Sequence, residues 1–125
     1  MKIRIKGNSV RFRLTKTEVA AFCKYGAHSE STYFADQKFT YSLVARQGIE
    51  HLQADYKDNT IRIYMPSSIR KTWEDSDVVG YNHKMKLPTG KELFLLVEKD
   101  FVCLDETTED QSDNYPNPKS DLLLK

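Results

Sequence analysis

Two short runs near the start of the chain alternate charged and apolar residues with a period of two, Lys2-Ile3-Arg4-Ile5-Lys6 and Val10-Arg11-Phe12-Arg13-Leu14. That period belongs to half-buried strands, whose successive side chains point to opposite faces. Gly7-Asn8-Ser9 joins the runs with turn-forming residues and predicts a hairpin. Ile3, Ile5, Val10, Phe12 and Leu14 share one of its faces, and the basic residues at 2, 4, 6, 11 and 13 share the other. The period then lengthens. Thr15 with Glu18 three residues on forms a capping box, and Val19, Phe22 and Cys23 make an apolar helical stripe that ends near Gly26. Residues 27–35 and 38–46 predict a second hairpin turning at Asp36-Gln37, and Gly48 breaks the run.

The same succession returns in the second half. Residues 51–56 lead through Asp58-Asn59 to an alternating strand over 60–65, which Pro66 ends. Ser67 or Ser68 is placed to cap a short helix carrying Ile69 and Trp73. Residues 79–87 and 91–97 form the last hairpin around Pro88-Thr89-Gly90, with Leu93 to Val97 as its most apolar arm; Phe101 to Leu104 extends an edge. The stretch from Lys6 to Leu14 corresponds to the stretch from Lys57 to Met65 at an offset of 51 residues, and Thr17 falls on Ser68 and Phe22 on Trp73 at that offset. Lys38, Tyr41, Leu43 and Val44 fall on Lys91, Phe94, Leu96 and Val97 at an offset of 53, so two residues are inserted in the second copy. The expected fold is α+β, mainly antiparallel β, with about eight strands and two short helices. Its two hairpin-helix-hairpin halves are expected to close into a barrel or a strongly curled sheet. Phe12, Phe22, Trp73 and Phe94 are assigned to the core, while Tyr33, Tyr41, Tyr64 and Tyr81 stay unassigned.

A chain of 125 residues suits one domain rather than two. Residues 1–104 form that domain, as pseudo-repeats 1–48 and 49–104. Residues 105–125 turn to Asp, Glu, Thr, Ser, Asn and Pro, a composition that favours a flexible acidic tail. The net charge of +1 gives no global attraction to nucleic acid or membrane. Its distribution is uneven: residues 1–20 carry Lys2, Arg4, Lys6, Arg11, Arg13 and Lys16 against the single acid Glu18. The start has no continuous apolar stretch of a signal peptide, no segment approaches a membrane span, and Cys23 and Cys103 stand far apart. A cytoplasmic protein with reduced thiols and no membrane contact is expected.

The basic hairpin is the best candidate for chemistry, because cations gathered on one strand face attract phosphate oxygens. The expected polyanion-binding residues are Arg4, Lys6, Arg11, Arg13, Lys16 and Arg62. The second hairpin retains Arg62 and Lys57 but adds Asp55 and Asp58, and an exposed charged face also serves solubility. No catalytic residue, metal or cofactor is expected. His28, His51 and His83 stand singly, the cysteines form no CxxC pair, and neither a glycine-rich phosphate loop nor a G-x-S-x-G elbow occurs.

The opening from Met1 to Ser9, with Cys103-Leu104 and Asp113-Asn114-Tyr115-Pro116-Asn117-Pro118 near the end, resembles a family of small bacterial proteins of unknown function. That resemblance covers nearly the whole chain and implies no activity. Gly7-Asn8-Ser9 followed by Val10-Arg11-Phe12-Arg13-Leu14 and a helix is similar to AbrB/MazE-type swapped-hairpin transcription factors. This second resemblance implies interleaved halves, a built-in pseudo-dimer, and DNA contacts at Arg4, Lys6, Arg11 and Arg13. The chain departs from that pattern in having proline at a helix start only as Pro66 and in the acidic turn of its second half. The function favoured is a non-enzymatic binding or regulatory module engaging nucleic acid or an acidic protein; a separate reading has the acidic tail fold back over the basic hairpin as an intramolecular screen. The alternative is a phosphate-handling enzyme resembling CYTH-type tunnel barrels, with Arg11 and Arg13 turned inward; its Glu-x-Glu-x-Lys signature is missing.

Overall fold

The computed structural model describes residues 1–101 and 112–116. β1 (Lys2–Ile5) and β2 (Ser9–Leu14) make the first hairpin, whose turn places Gly7 at φ +55°, where glycine is favoured. α1 (Lys16–Tyr25) starts in the expected capping box. The Thr15 side chain accepts from the Glu18 amide, and the Glu18 carboxylate accepts from the Thr15 amide at 2.8 Å. It ends at Gly26, φ +81°, whose amide donates to the Phe22 carbonyl at 2.8 Å. β3 (Ala27–Tyr33) with β4 (Lys38–Arg46), β5 (Gln53–Lys57) with β6 (Thr60–Pro66), and β7 (Gly80–Lys86) with β8 (Glu92–Lys99) are the other hairpins. α2 (Ser67–Arg70) is a single turn. Pro66 takes its cap position with φ −51° and no side-chain cap bond forms, so Ser67 and Ser68 fall inside the helix instead of capping it. Arg70 from this turn donates to the Cys23 and Lys24 carbonyls at 3.0 and 2.9 Å and so satisfies the end of α1.

The four hairpins assemble crosswise. One sheet has the order β1-β2-β8-β7 and the other β3-β4-β6-β5, and in each the central pair, β2 with β8 or β4 with β6, runs parallel. The expected mainly antiparallel barrel is thus corrected to two mixed four-stranded sheets with no closed barrel. Turn residues specify pairing inside a hairpin, whereas the neighbour of each hairpin comes from the other half of the chain, beyond the reach of local signals. The edges that a barrel would join by backbone ladders meet through side chains instead. The Met1 ammonium, just before β1, bonds Glu30 of β3 and Glu18 of α1. On the opposite side the Ala54 amide of β5 donates to the Met85 sulfur of β7 at 3.4 Å, and the His51 and His83 rings stack at 4.5 Å.

The inner faces of the two sheets share one core. Phe12, Leu14, Leu95 and Val97 from the first meet Leu43, Ile63 and Met65 from the second, with Val19 and Phe22 of α1 and Trp73 after α2, all fully buried. Cys23 packs partly buried against this core, and burial raises its thiol above the ordinary value. Tyr41 and Tyr81 also pack on it, whereas Tyr33 is exposed and Tyr64 faces outward beneath Arg46.

The two sheets repeat one pairing pattern. Arg11 pairs with Leu96 and Arg62 pairs with Ser42; Arg62 follows Arg11 by 51 residues, and Leu96 follows Ser42 by 54. The offset of 53 read from the sequence is therefore one residue short for this pair of strands. A one-residue slip turns every side chain to the opposite face. Equating Tyr41 with Phe94 matched an inward ring, 5.8 Å from Phe12, to an outward one. Phe94 lies outside the hydrophobic core, next to the fully buried Leu95, and its assignment to the core is corrected.

Near the end of the chain, the Asp113 carbonyl accepts from the Lys16 amide at 2.9 Å and its carboxylate from the Thr17 hydroxyl at 2.7 Å. The Tyr115 amide donates to Asp100 at 2.8 Å, and its ring packs on Phe101 at 5.9 Å. Residues 112–116 thus lie against the N-terminus of α1 and the end of β8. The remainder of the expected acidic tail, with Cys103, Leu104 and Leu122 to Leu124, lies outside the described residues.

Candidate polyanion-binding face

The outward residues of the sheet β1-β2-β8-β7 form a markedly cationic surface. β1 and its turn contribute Lys2, Arg4 and Lys6; β2 contributes Arg11 and Arg13, with Arg4 opposite Arg11 and Lys2 opposite Arg13. The parity that turns Phe94 outward also places Lys84 and Lys86 of β7 on this face, opposite Phe94 and Glu92. Sequence reasoning missed both lysines. Seven cations thus share the face with Glu92 and Glu98, and Asp100 joins them just past the end of β8. Glu98, level with Lys2 and Arg13 near one end of the face, binds Arg13 at 2.9 Å and Arg11 at 3.7 Å, while Lys2 meets Asp100 at 3.1 Å. Among the described residues, neither Arg4 nor Lys6 has an ion-pair partner. Two shallow depressions, of about 230 and 260 Å³, lie along the face. Arg4, Lys6, Arg11 and Phe94 line the first, and Lys2, Arg4, Arg11 and Arg13 line the second.

Two of the six expected residues stand elsewhere. Arg62 is on the outer face of the other sheet, 3.9 Å from Asp55, whose carboxylate also accepts from the Tyr64 hydroxyl at 2.8 Å. Lys16 sits at the start of α1 with its ammonium 6.0 Å from the centre of the Tyr115 ring. Arg4, Arg11, Arg13 and Arg62 therefore do not converge in a channel with carboxylates, as a tunnel enzyme would require. Their strands face solvent on two different sheets.

A family profile matches residues 1–119, a span that contains all eight strands and both helices. The chain belongs to the family of unknown function DUF7009. This agrees with the resemblance of the whole chain to small proteins of unknown function. No curated protein and no solved structure matches it. Among the described residues of this DUF7009 chain, no helix is long and apolar enough to cross a membrane.

A second polar group lies between the sheets at the β1 and β3 edges. The Glu18, His28 and Glu30 side chains bring ligand-capable atoms within 4.8 Å of one another, a convergence invisible in their separate positions along the chain. The Met1 ammonium bonds both carboxylates and neutralises part of their charge, and the Tyr41 hydroxyl donates to the Met1 carbonyl at 2.7 Å. Burial pushes the Glu18 carboxyl up, but hydrogen bonds from the ammonium and from Thr15 outweigh it, and the net shift is downward from 4.5. A lowered folded-state value means that the unfolded chain takes the proton first. Glu18 therefore contributes stability that is present above pH 4.5 and is lost as the pH falls through the folded value. Glu18→Gln is expected to cost about 1–3 kcal/mol at neutral pH, through hydrogen bonds to a charged group. It should also flatten the fall of Tm below pH 4.5. Thermal melts of both proteins across that range check this; identical slopes would show that Glu18 ionises alike in the folded and unfolded chains.

Proposed function

We propose that this protein is a non-enzymatic nucleic-acid-binding module whose contact surface is the outer face of the sheet β1-β2-β8-β7. The observation that carries this reading is the excess of seven cations over three acids, Glu92, Glu98 and Asp100, on one sheet face, with Arg4 and Lys6 lacking ion-pair partners among the described residues. The outer face of the other sheet carries a smaller excess, with Lys38, Arg46, Lys57 and Arg62 against Asp55 among Ser29, Ser31, Thr40 and Ser42. Phosphate contacts of this kind release counterions, so affinity should fall steeply with salt. We also infer descent from a duplicated hairpin-helix-hairpin unit, which the matched strand orders support. After such a duplication, the binding face belongs to one copy of the first hairpin and not to the other.

Anisotropy titrations with a labelled nucleic acid across a salt series test the reading. Arg4→Ala/Lys6→Ala is expected to weaken binding and to lower the slope of log affinity against log salt by about 2, one unit per phosphate contact. Glu98→Gln is expected to strengthen binding, because Glu98 competes with phosphate for Arg11 and Arg13. Absence of binding at low salt overturns the proposal. Binding of an acidic polypeptide but not of nucleic acid replaces it with the acidic-protein reading.

A further inference from the structure

We propose that Phe94 forms a base-stacking subsite, and that the nucleic acid taken by this face is single-stranded. The inference rests on the reading above and adds to it the recognition of the base. Phe94 stands between Ser9 on β2 and Lys84 on β7, its paired positions. Ser9 is too small to cover the ring from its side, and Arg4, Lys6 and Arg11 complete the wall of the adjoining depression of about 230 Å³. The main chain that carries the ring is held in place: the Phe94 amide donates to the Asn8 carbonyl at 3.0 Å, and the Asn8 side-chain amide donates to the Glu92 carbonyl at 2.7 Å. Turn and strand are therefore preorganised, which reduces the ordering cost of binding.

The neighbouring charges decide which ligand suits such a ring. An apolar partner would gain from Phe94 but would have to strip water from the surrounding arginine and lysine heads. A nucleotide meets both demands, since its base is a flat π-surface and its phosphates seek cations. In a duplex the base faces are already stacked on one another, and only the phosphates reach this surface. A single strand leaves a face free for Phe94 while β1 and β2 hold the flanking phosphates.

The test uses the full chain and three labelled probes: a single-stranded oligonucleotide, its duplex, and an abasic strand that keeps the phosphate backbone alone, with inorganic polyphosphate as competitor. Phe94→Leu removes the π-face but retains apolar bulk. It is expected to weaken single-strand binding roughly 5- to 100-fold, as loss of one stacked base does. Salt slope and polyphosphate competition should not change, and Phe94→Tyr should bind like wild type. The abasic strand should bind wild type at least about fivefold more weakly than the strand with bases, a comparison that needs no variant to fold. Equal binding of abasic and normal strands, tighter binding of the duplex, or an unaltered Phe94→Leu overturns the stacking proposal and leaves the polyanion reading intact. Failure of wild type to bind any probe overturns that underlying reading instead.

Discussion

Trp73→Ala is expected to destabilise the fold by about 3–5 kcal/mol, the usual cost of deleting a buried large aromatic side chain and leaving its cavity. Trp73 is fully buried after the single turn of α2 and meets Phe22 at 6.5 Å and Tyr81 at 5.9 Å, both edge to face. Its indole N–H donates to the Val78 carbonyl at 3.0 Å, so truncation also leaves a carbonyl without this partner. A helix of four residues has little stability of its own, and this side chain supplies much of what docks the segment on the sheets. Since a typical domain has only about 5–15 kcal/mol in reserve, the loss is a large fraction of the total. Urea denaturation followed by circular dichroism checks it, with the midpoint expected to fall and the slope to stay constant. Trp73→Phe should recover most of the loss, because it keeps an aromatic ring and forfeits only the N–H bond. A loss below about 1 kcal/mol for the alanine variant would mean that the segment repacks around the gap.

The second large effect is expected from a single methyl group. A Cβ at Gly80 would stand 2.5 Å from the Val97 carbonyl oxygen and 2.7 Å from the Glu98 Cβ, and neither the backbone nor a β-carbon can swing away. Gly80→Ala therefore forces β7 from β8 at the Gly80–Glu98 pair and should cost about 1–3 kcal/mol, the range for overpacking. The displacement also bears on the proposed face, because β7 carries Lys84 and Lys86 past Phe94. Hydrogen exchange is expected to show faster loss of amide protection along β7 and β8 than in the other sheet. Uniform loss across both sheets would show that the β7 edge does not open alone.

The local elements were legible along the chain because each has a local cause. Thr15 and Glu18 specify the helix start, Gly26 its end, and alternation with turn residues the four hairpins. The burial of Phe12, Phe22 and Trp73 follows from the same periodicities, as does the gathering of Arg4, Lys6, Arg11 and Arg13 on one hairpin face. Phe94 shows where such reading stops. Its apolar strand, from Leu93 to Val97, has no polar alternation to mark its two faces, so periodicity alone does not tell that Leu95 turns inward and Phe94 outward.

What the linear order of residues settled, then, is the list of hairpins and helices, with which side chains share a face within each, since turn chemistry, caps and periodicity act over a few residues. It could not settle the crossed parallel pairings β2 with β8 and β4 with β6, which join positions more than eighty and about twenty residues apart. Those pairings put Arg62 on a different sheet from Arg11, place Glu98 between Arg11 and Arg13, and bring Lys84 and Phe94 to the basic hairpin. They depend on how whole hairpins bury their apolar sides against one another, and that energy belongs to the assembled core rather than to any one segment of chain.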